Sequence, residues 1–307
     1  MSAPRVACLG ECMIELSRRA DGNTTVGFGG DTLNTAVYLA RLGIATDYVT
    51  ALGDDPESDA MVAAWNREGV GTTHVARLPG RVPGLYMILT DANGERRFLY
   101  WRDQAPAREL FLLPGADALM AALEGYDLLY LSGISLAIWG AEGRAKLLPL
   151  LDRLRARGGL VAFDTNWRPR LWAGKEAAAE AYEAMFSRTD ILLAGSTELD
   201  EIFGWGEEQA VMDQLAARKV PEIVLKLEPP AARLRVEGEE TLVPARKVPK
   251  VVDTTAAGDS FAAGYLAARL VGKAPPASAE AAHRLASLVV QHRGAIIPKE
   301  VTAGITA

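Results

Sequence analysis

The sequence predicts an α/β fold in which a mostly parallel central sheet is covered on both faces by helices and carries a small β-sheet lid. Three observations support this. Six short apolar runs alternate with longer helical patterns, the runs are nearly continuous rather than alternating in polarity, and two glycine-rich stretches interrupt the rhythm. A strand buried on both faces has no polar side to present, so unbroken apolar runs separated by helices indicate a doubly wound sheet.

In chain order the strand candidates are "RVACLG" (5–10), "YVTALG" (48–53), "DLLYLSG" (127–133), "GLVAFD" (159–164), "DILLAG" (190–195) and "EIVLKL" (222–227). Between the first two, "DTLNTAVYLARLG" (31–43) puts Leu33, Ala36, Val37 and Ala40 on one helical face, and Gly43 supplies the stop. "GLYMILTDANGERRFLYWR" (84–102) is two strand-like runs about Asn93-Gly94, a hairpin signal. With "IELSRRADGNTTVGFGG" (14–30) it can form an antiparallel flap over the carboxyl ends of the main strands. "ARLRVEGEETLVPA" (232–245) reads as a last hairpin. With neither repeat nor linker, one unit over residues 1–307 is expected, its discontinuous lid drawn from about 12–30 and 80–104.

Composition narrows the functional classes. The 307 residues are 49% hydrophobic and 23% charged, as in ordinary soluble enzymes, and a net charge of −6 gives no basic face for nucleic acid. No apolar run approaches the roughly 18 residues of a membrane span, and no signal peptide is legible, so a cytoplasmic protein is expected. Cys8 and Cys12 cannot make a disulfide framework for this length, and the three histidines show no metal spacing with them.

The chemistry concentrates in "DTTAAGDSF", residues 253–261, which leads into the helical run "FAAGYLAARL". Ala256, Ala257 and Gly258 fall at or just before the first helical turn, where backbone N–H groups lack partners and the dipole favours an anion. Side chains no larger than methyl allow close approach, so the stretch reads as an anion hole built from geometry. Asp259 is either a first-turn acid or a base set beside the anion. In the second case its place at a helix N-terminus should keep it ionised. There is no Walker motif, and "GVGTTH" (69–74) lacks the third glycine of a dinucleotide fingerprint.

"DTTAAGDSFAAGYLA" resembles the C-terminal signature of the ribokinase-like, or PfkB-type, carbohydrate kinases, and "GFGGDTLNTAVYLARLG" (27–43) resembles their N-terminal sugar-binding motif. "GECMIELS", "PGLY", "YWR", "YLSGIS", "RPRLW" and "RGAIIP" are similar to the family's sugar-acid branch and stand in its order along nearly the whole chain. The resemblance implies a ribokinase-like three-layer α/β/α sandwich. It also implies ATP-dependent phosphorylation of 2-keto-3-deoxygluconate at its terminal (6-) hydroxyl, with Asp259 activating that hydroxyl over the hole of Ala256, Ala257 and Gly258. It places Gly30, Asp31, Asn34, Tyr86, Tyr100, Arg102 and Arg168 around the sugar acid, Lys226, Thr255 and Gly258 at ATP, and Glu198 near Mg2+. A monovalent cation and a homo-oligomer formed through the lid belong to the same pattern.

Residue chemistry fits an acidic sugar, because the planar fork of Arg102 or Arg168 matches a carboxylate bidentately. Each residue also has a plainer reading. The arginines can be ion-pair partners, with Arg170 a competitor for the pocket role; Tyr86 and Tyr100 can be cross-strand packing; Gly30 can serve the turn alone; Lys226 can snorkel from a buried strand.

Three positions depart from the broader family. Ala256 stands where glycine is usual, which alanine tolerates at negative φ and which the sugar-acid branch often carries. Gly195 replaces the asparagine of an N-x-x-E motif whose acid is Glu198. Glu228, followed by Pro229 and Pro230, occupies a glycine position beside the nucleotide phosphates, where a carboxylate would repel them unless it turned outward. The competing expectations are a related kinase for fructose or ribose, and a sugar-acid sensor that has lost transfer.

Overall fold

The computed structural model describes residues 3–91 and 95–307, so the Asn93-Gly94 turn lies outside the described residues. Among the described residues thirteen strands form two sheets. In chain order they are β1 (Arg5–Leu9), β2 (Met13–Arg18), β3 (Thr24–Gly29), β4 (Ala45–Gly53), β5 (Val75–Leu78), β6 (Leu85–Thr90) and β7 (Arg96–Trp101). After these come β8 (Leu128–Ser132), β9 (Leu160–Asp164), β10 (Ile191–Gly195), β11 (Glu222–Leu227), β12 (Ala231–Val236) and β13 (Glu239–Pro244).

All six apolar runs lie in a nine-stranded sheet of order β13-β12-β11-β10-β9-β8-β1-β4-β5, parallel except where the β12–β13 hairpin extends one edge. β5, which the sequence reading passed over, adds a parallel edge strand beside β4. The "GVGTTH" segment is part of that connection, with Gly71 bridging Asp47.

Alternate residues of the strands feed two separate cores. Ala7, Leu9, Leu129, Leu131, Val161 and Phe163 join one cluster, and Val6, Cys8, Leu128, Tyr130, Ala162 and Leu193 join the other. Period-two side-chain alternation with both faces apolar requires a helical layer on each side, which gives a three-layer α/β/α sandwich. Gly264 is needed in one of these layers. A Cβ there would stand 2.8 Å from Cα of Ala282, so its absence lets helix Ala257–Leu270 lie directly on helix Pro275–Val289. Among the described residues no helix is long and apolar enough to cross a membrane. Cys8 and Cys12 are buried free thiols.

The second sheet has four strands in the order β3-β2-β6-β7, and β6 and β7 run antiparallel as the hairpin signal implies. Its register aligns Gly27, Glu15, Tyr86 and Tyr100 in one row and Val26, Leu16, Met87 and Leu99 in the next, so the two rows occupy opposite faces. The first of these faces meets the carboxyl ends of the main strands.

Candidate active site

A cleft of about 1480 Å³ opens between the lid sheet and the main sheet, and all the residues singled out as site candidates line it. Gly30, Asp31 and Asn34 reach it from the start of helix Asp31–Arg41, and Tyr86, Tyr100 and Arg102 from the lid. Arg168 follows β9, Glu198 follows β10, and Lys226 lies near the end of β11. Thr255, Ala256, Ala257, Gly258 and Asp259 come from the signature stretch. This is the place where α/β sheets bind ligands, because connections diverge at the carboxyl ends of the strands.

Helix Ala257–Leu270 starts at the cleft. Among the described residues no acceptor meets the N–H groups of Gly258 and Asp259, and a Cβ built on Gly258 would approach only Nζ of Lys226, at 3.9 Å. The donors are therefore bare and accessible, as an anion requires. Asp253 holds this opening in shape: its Oδ1 accepts from N and Oγ1 of Thr255 at 3.0 and 2.7 Å, and its Oδ2 from N of Gly294 at 3.0 Å. Thr255 is thus committed to an Asx-type turn as well as facing the cleft.

Two expectations for this stretch are corrected. Ala256 does not sit at negative φ. It caps the helix at φ 59° and ψ 18°, the left-handed region that glycine adopts without strain. Asp259 is not held as an ordinary ionised first-turn acid, since its pKa is pushed up to about 7. Removal from water is the largest cause and the Asp31 carboxylate adds to it; together they outweigh the hydrogen bond from Asn34 and the charge of Lys226.

Asp259 is positioned from both sides. Nδ2 of Asn34 donates to its Oδ2 at 2.8 Å, and Oγ1 of Thr35 donates to its backbone oxygen at 3.2 Å. Asp31 accepts from Nδ2 of Asn166 at 2.6 Å. Gly30 is there for close approach: a Cβ would stand 2.1 Å from the backbone oxygen of Glu11, so any side chain would push apart the start of the helix and the lid.

The two arginines differ. Arg102, 9% exposed at its side chain, is ion-paired through Nη2 to the carboxylate of Glu11, which is 1% exposed. Arg168 is exposed toward the cleft, donates to the backbone oxygen of Trp167 at 2.7 Å, and has no carboxylate partner among the described residues. Arg170 is exposed in the same cleft. Tyr86 and Tyr100 face each other across β6 and β7 with ring centroids 6.1 Å apart, and the Tyr86 hydroxyl donates to Glu15. Burial and the Glu15 charge push the Tyr86 phenol up, so it remains a donor.

Lys226 does not snorkel to solvent. Its ammonium lies 2.8 and 3.0 Å from the two carboxylate oxygens of Asp164. Glu198 accepts from Oγ1 of Thr165, which in turn accepts from N of Gly195 at 3.1 Å. Glu228 is exposed and does not line the cleft, so its charge does not face the anion hole. Glu11, Asp164 and Asn166 line the cleft but were missed. The available signal was position, a polar residue ending or just following a buried strand, as in "LGE" and "FDTN".

Bare helix donors, a carboxylate beside them and a closing lid define a class: enzymes that move a phosphoryl group onto a small hydroxylated molecule. The family profile described as "pfkB family carbohydrate kinase" matches residues 3–302, and this chain belongs to that family. Its sequence is 50% identical to a 2-dehydro-3-deoxygluconokinase of Dickeya dadantii (strain 3937), with 98% of this chain and 99% of the relative covered. It is 46% identical to the 2-dehydro-3-deoxygluconokinase of Escherichia coli (strain K12), covering 96% and 98%. The crystal structure of 2-dehydro-3-deoxygluconokinase from Thermotoga maritima shares the fold with a TM-score of 0.86 at 23% identity, over 99% of this chain and 98% of that one.

Proposed function

We propose that this kinase transfers the γ-phosphoryl group of ATP to the terminal (6-) hydroxyl of 2-keto-3-deoxygluconate, giving 2-keto-3-deoxy-6-phosphogluconate. The observation that carries the reading is the shared cleft. Arg168 brings to the cleft a guanidinium with no carboxylate partner among the described residues, and Asp259 stands in the same cleft beside bare helix donors. The sugar carboxylate pairs with Arg168, which leaves the far hydroxyl to reach Asp259.

Asp31, Asn34, Tyr86 and Tyr100 bracket the sugar between these ends, and Gly30 keeps helix and lid close enough to do so. Asp259 accepts the hydroxyl proton as the oxygen attacks, a role in which orientation matters more than basicity because bonding to the nucleophile is late. The bare N–H groups of Gly258 and Asp259 meet the transferring phosphoryl group, with Lys226 beside them and Thr255 in the neighbouring turn. Ala256 and Ala257 are small enough to admit it, although the Ala257 N–H is itself held by the backbone oxygen of Thr254 at 3.1 Å.

Among the described residues no cluster of three metal-ligating side chains exists. The fit is therefore to a magnesium ion carried on ATP and served indirectly by Glu198, where it would neutralise charge on the β- and γ-phosphates. A monovalent cation is the further ion this reading includes, checked by turnover with and without potassium. The site also fits a cytoplasmic enzyme, where ATP is supplied and the buried thiols stay reduced.

The lid is proposed to pair two copies of the chain. Val26 and Trp101, 63% and 57% exposed, share the face opposite Tyr86 and Tyr100 with Leu16, Met87 and Leu99. A continuous apolar face of this kind is covered in a stable assembly. Sedimentation should give a dimer that Trp101→Glu converts to monomer.

The test of substrate is ADP release over a sugar panel. 2-Keto-3-deoxygluconate should exceed fructose and ribose by orders of magnitude in kcat/KM; equal turnover of the neutral sugars would overturn the assignment. Binding of the sugar acid without ATP turnover would return the sensor reading.

A further inference from the structure

Lys226 and Asp164 do not sit on neighbouring strands. Asp164 ends β9, Lys226 is on β11, and β10 runs between them. The register pairs Asp164 with Leu193 and Lys226 with Gly195, so all four residues share one face. The residue that Lys226 must cross is a glycine, and its chain passes over β10 to end 2.8 and 3.0 Å from the two Asp164 oxygens. There the ammonium also stands 3.9 Å from the position a Cβ on Gly258 would take, beside the bare donors of the signature helix.

Nothing else among the described residues pairs with that ammonium. A flexible four-carbon stem left to itself spreads over many rotamers, which a phosphate would have to collect at an entropic cost. Asp164 is 3% exposed and is itself braced by the N–H of Asn166 at 3.2 Å, so it is a fixed anchor.

We propose that Asp164 is a positioning residue for nucleotide binding: it fixes the Lys226 ammonium at the start of helix Ala257–Leu270, where it receives the polyphosphate of ATP. The proposal rests on the ATP-dependent reading above. Asp164 acts through Lys226 and need not touch the nucleotide. The remaining charged groups around the pair are Glu198, Asp31 and Asp259, all carboxylates. They repel the polyphosphate, so binding depends on the ammonium being held at the helix rather than drawn away among them.

Affinity for a non-hydrolysable ATP analogue, measured by calorimetry, tests this without turnover. Asp164→Asn should weaken it roughly tenfold or more, the scale of a charge-assisted contact. Lys226→Met should weaken it at least as much, and adding Asp164→Asn to Lys226→Met should weaken it no further. Affinity for 2-keto-3-deoxygluconate should stay within about twofold throughout. Unchanged analogue affinity in Asp164→Asn, additive losses in the double variant, or an equal loss of sugar affinity would each overturn the proposal. If Asp164→Asn alone fails to fold, the single Lys226→Met and the double variant, which lacks both charges, still decide the question. Failure of the substrate assignment is separate: a protein that binds the analogue in the predicted pattern but does not turn over the sugar acid retains this proposal and loses that one.

Discussion

Nδ2 of Asn34 donates to Oδ2 of Asp259 at 2.8 Å, joining the first turns of two helices whose residues are 225 positions apart. That bond ties the start of helix Asp31–Arg41 to the start of helix Ala257–Leu270, so the N- and C-terminal motifs of the chain meet at one carboxylate. It also holds Asp259 in a single orientation, which a base at an attacking hydroxyl requires. Asp259→Asn should lower kcat by about 10²–10⁴ while calorimetry shows the sugar acid still bound. A variant that kept most of its turnover would remove Asp259 from the chemistry.

The same carboxylate predicts a pH profile. With the Asp259 pKa near 7, kcat/KM should fall on the acid side of neutrality as the base becomes protonated. The bond from Asn34 lowers that pKa, so Asn34→Ala should move the inflection upward. Stability follows with the opposite sense from an ordinary acid. The unfolded chain releases this proton near 3.8, whereas the folded one retains it until about 7, so ionisation costs stability as pH rises through that interval. Asp259→Asn should therefore raise the melting temperature more at pH 8 than at pH 5, read by thermal scans.

Arg102 and Arg168 carry the same guanidinium and should fail differently. Removing Arg102 leaves Glu11 buried without its counter-charge, so Arg102→Ala should cost about 3–5 kcal/mol of stability in denaturant melts. Arg168 has no carboxylate to abandon, so Arg168→Ala should melt near wild type and instead raise KM for the sugar acid roughly 10- to 100-fold. If both variants lost affinity with stability intact, the Glu11 pairing would carry little weight.

The sheet was legible because burial on both faces leaves nothing polar in a strand, as "LVAF" within β9 shows. Residues facing the site at or just beyond the strand ends were harder to read. Asp164 and Glu11 each follow an apolar run and look like strand ends, and only the fold shows Lys226 reaching the first and Arg102 the second. The small residues of the signature stretch placed a helix start at or just before Ala256–Gly258, and the helix begins at Ala257, yet the backbone angle at Ala256 and the crowd of carboxylates around Asp259 arise from tertiary packing. β5 was missed because "VARL" is too short to carry a period.

Ala256 supplies the last prediction. Its φ of 59° places an L-residue with a Cβ where that atom crowds the following carbonyl, at a cost of roughly 1–2 kcal/mol. Glycine removes the crowding but has more unfolded conformations to lose, which returns part of the gain. Ala256→Gly should therefore stabilise the protein by up to about 1 kcal/mol in urea titrations. The helix donors keep their positions, so analogue affinity should change less than about threefold. A loss of stability would mean that the methyl group makes a packing contact worth more than the strain, and Ala256 would then be holding the anion hole closed rather than tolerating it.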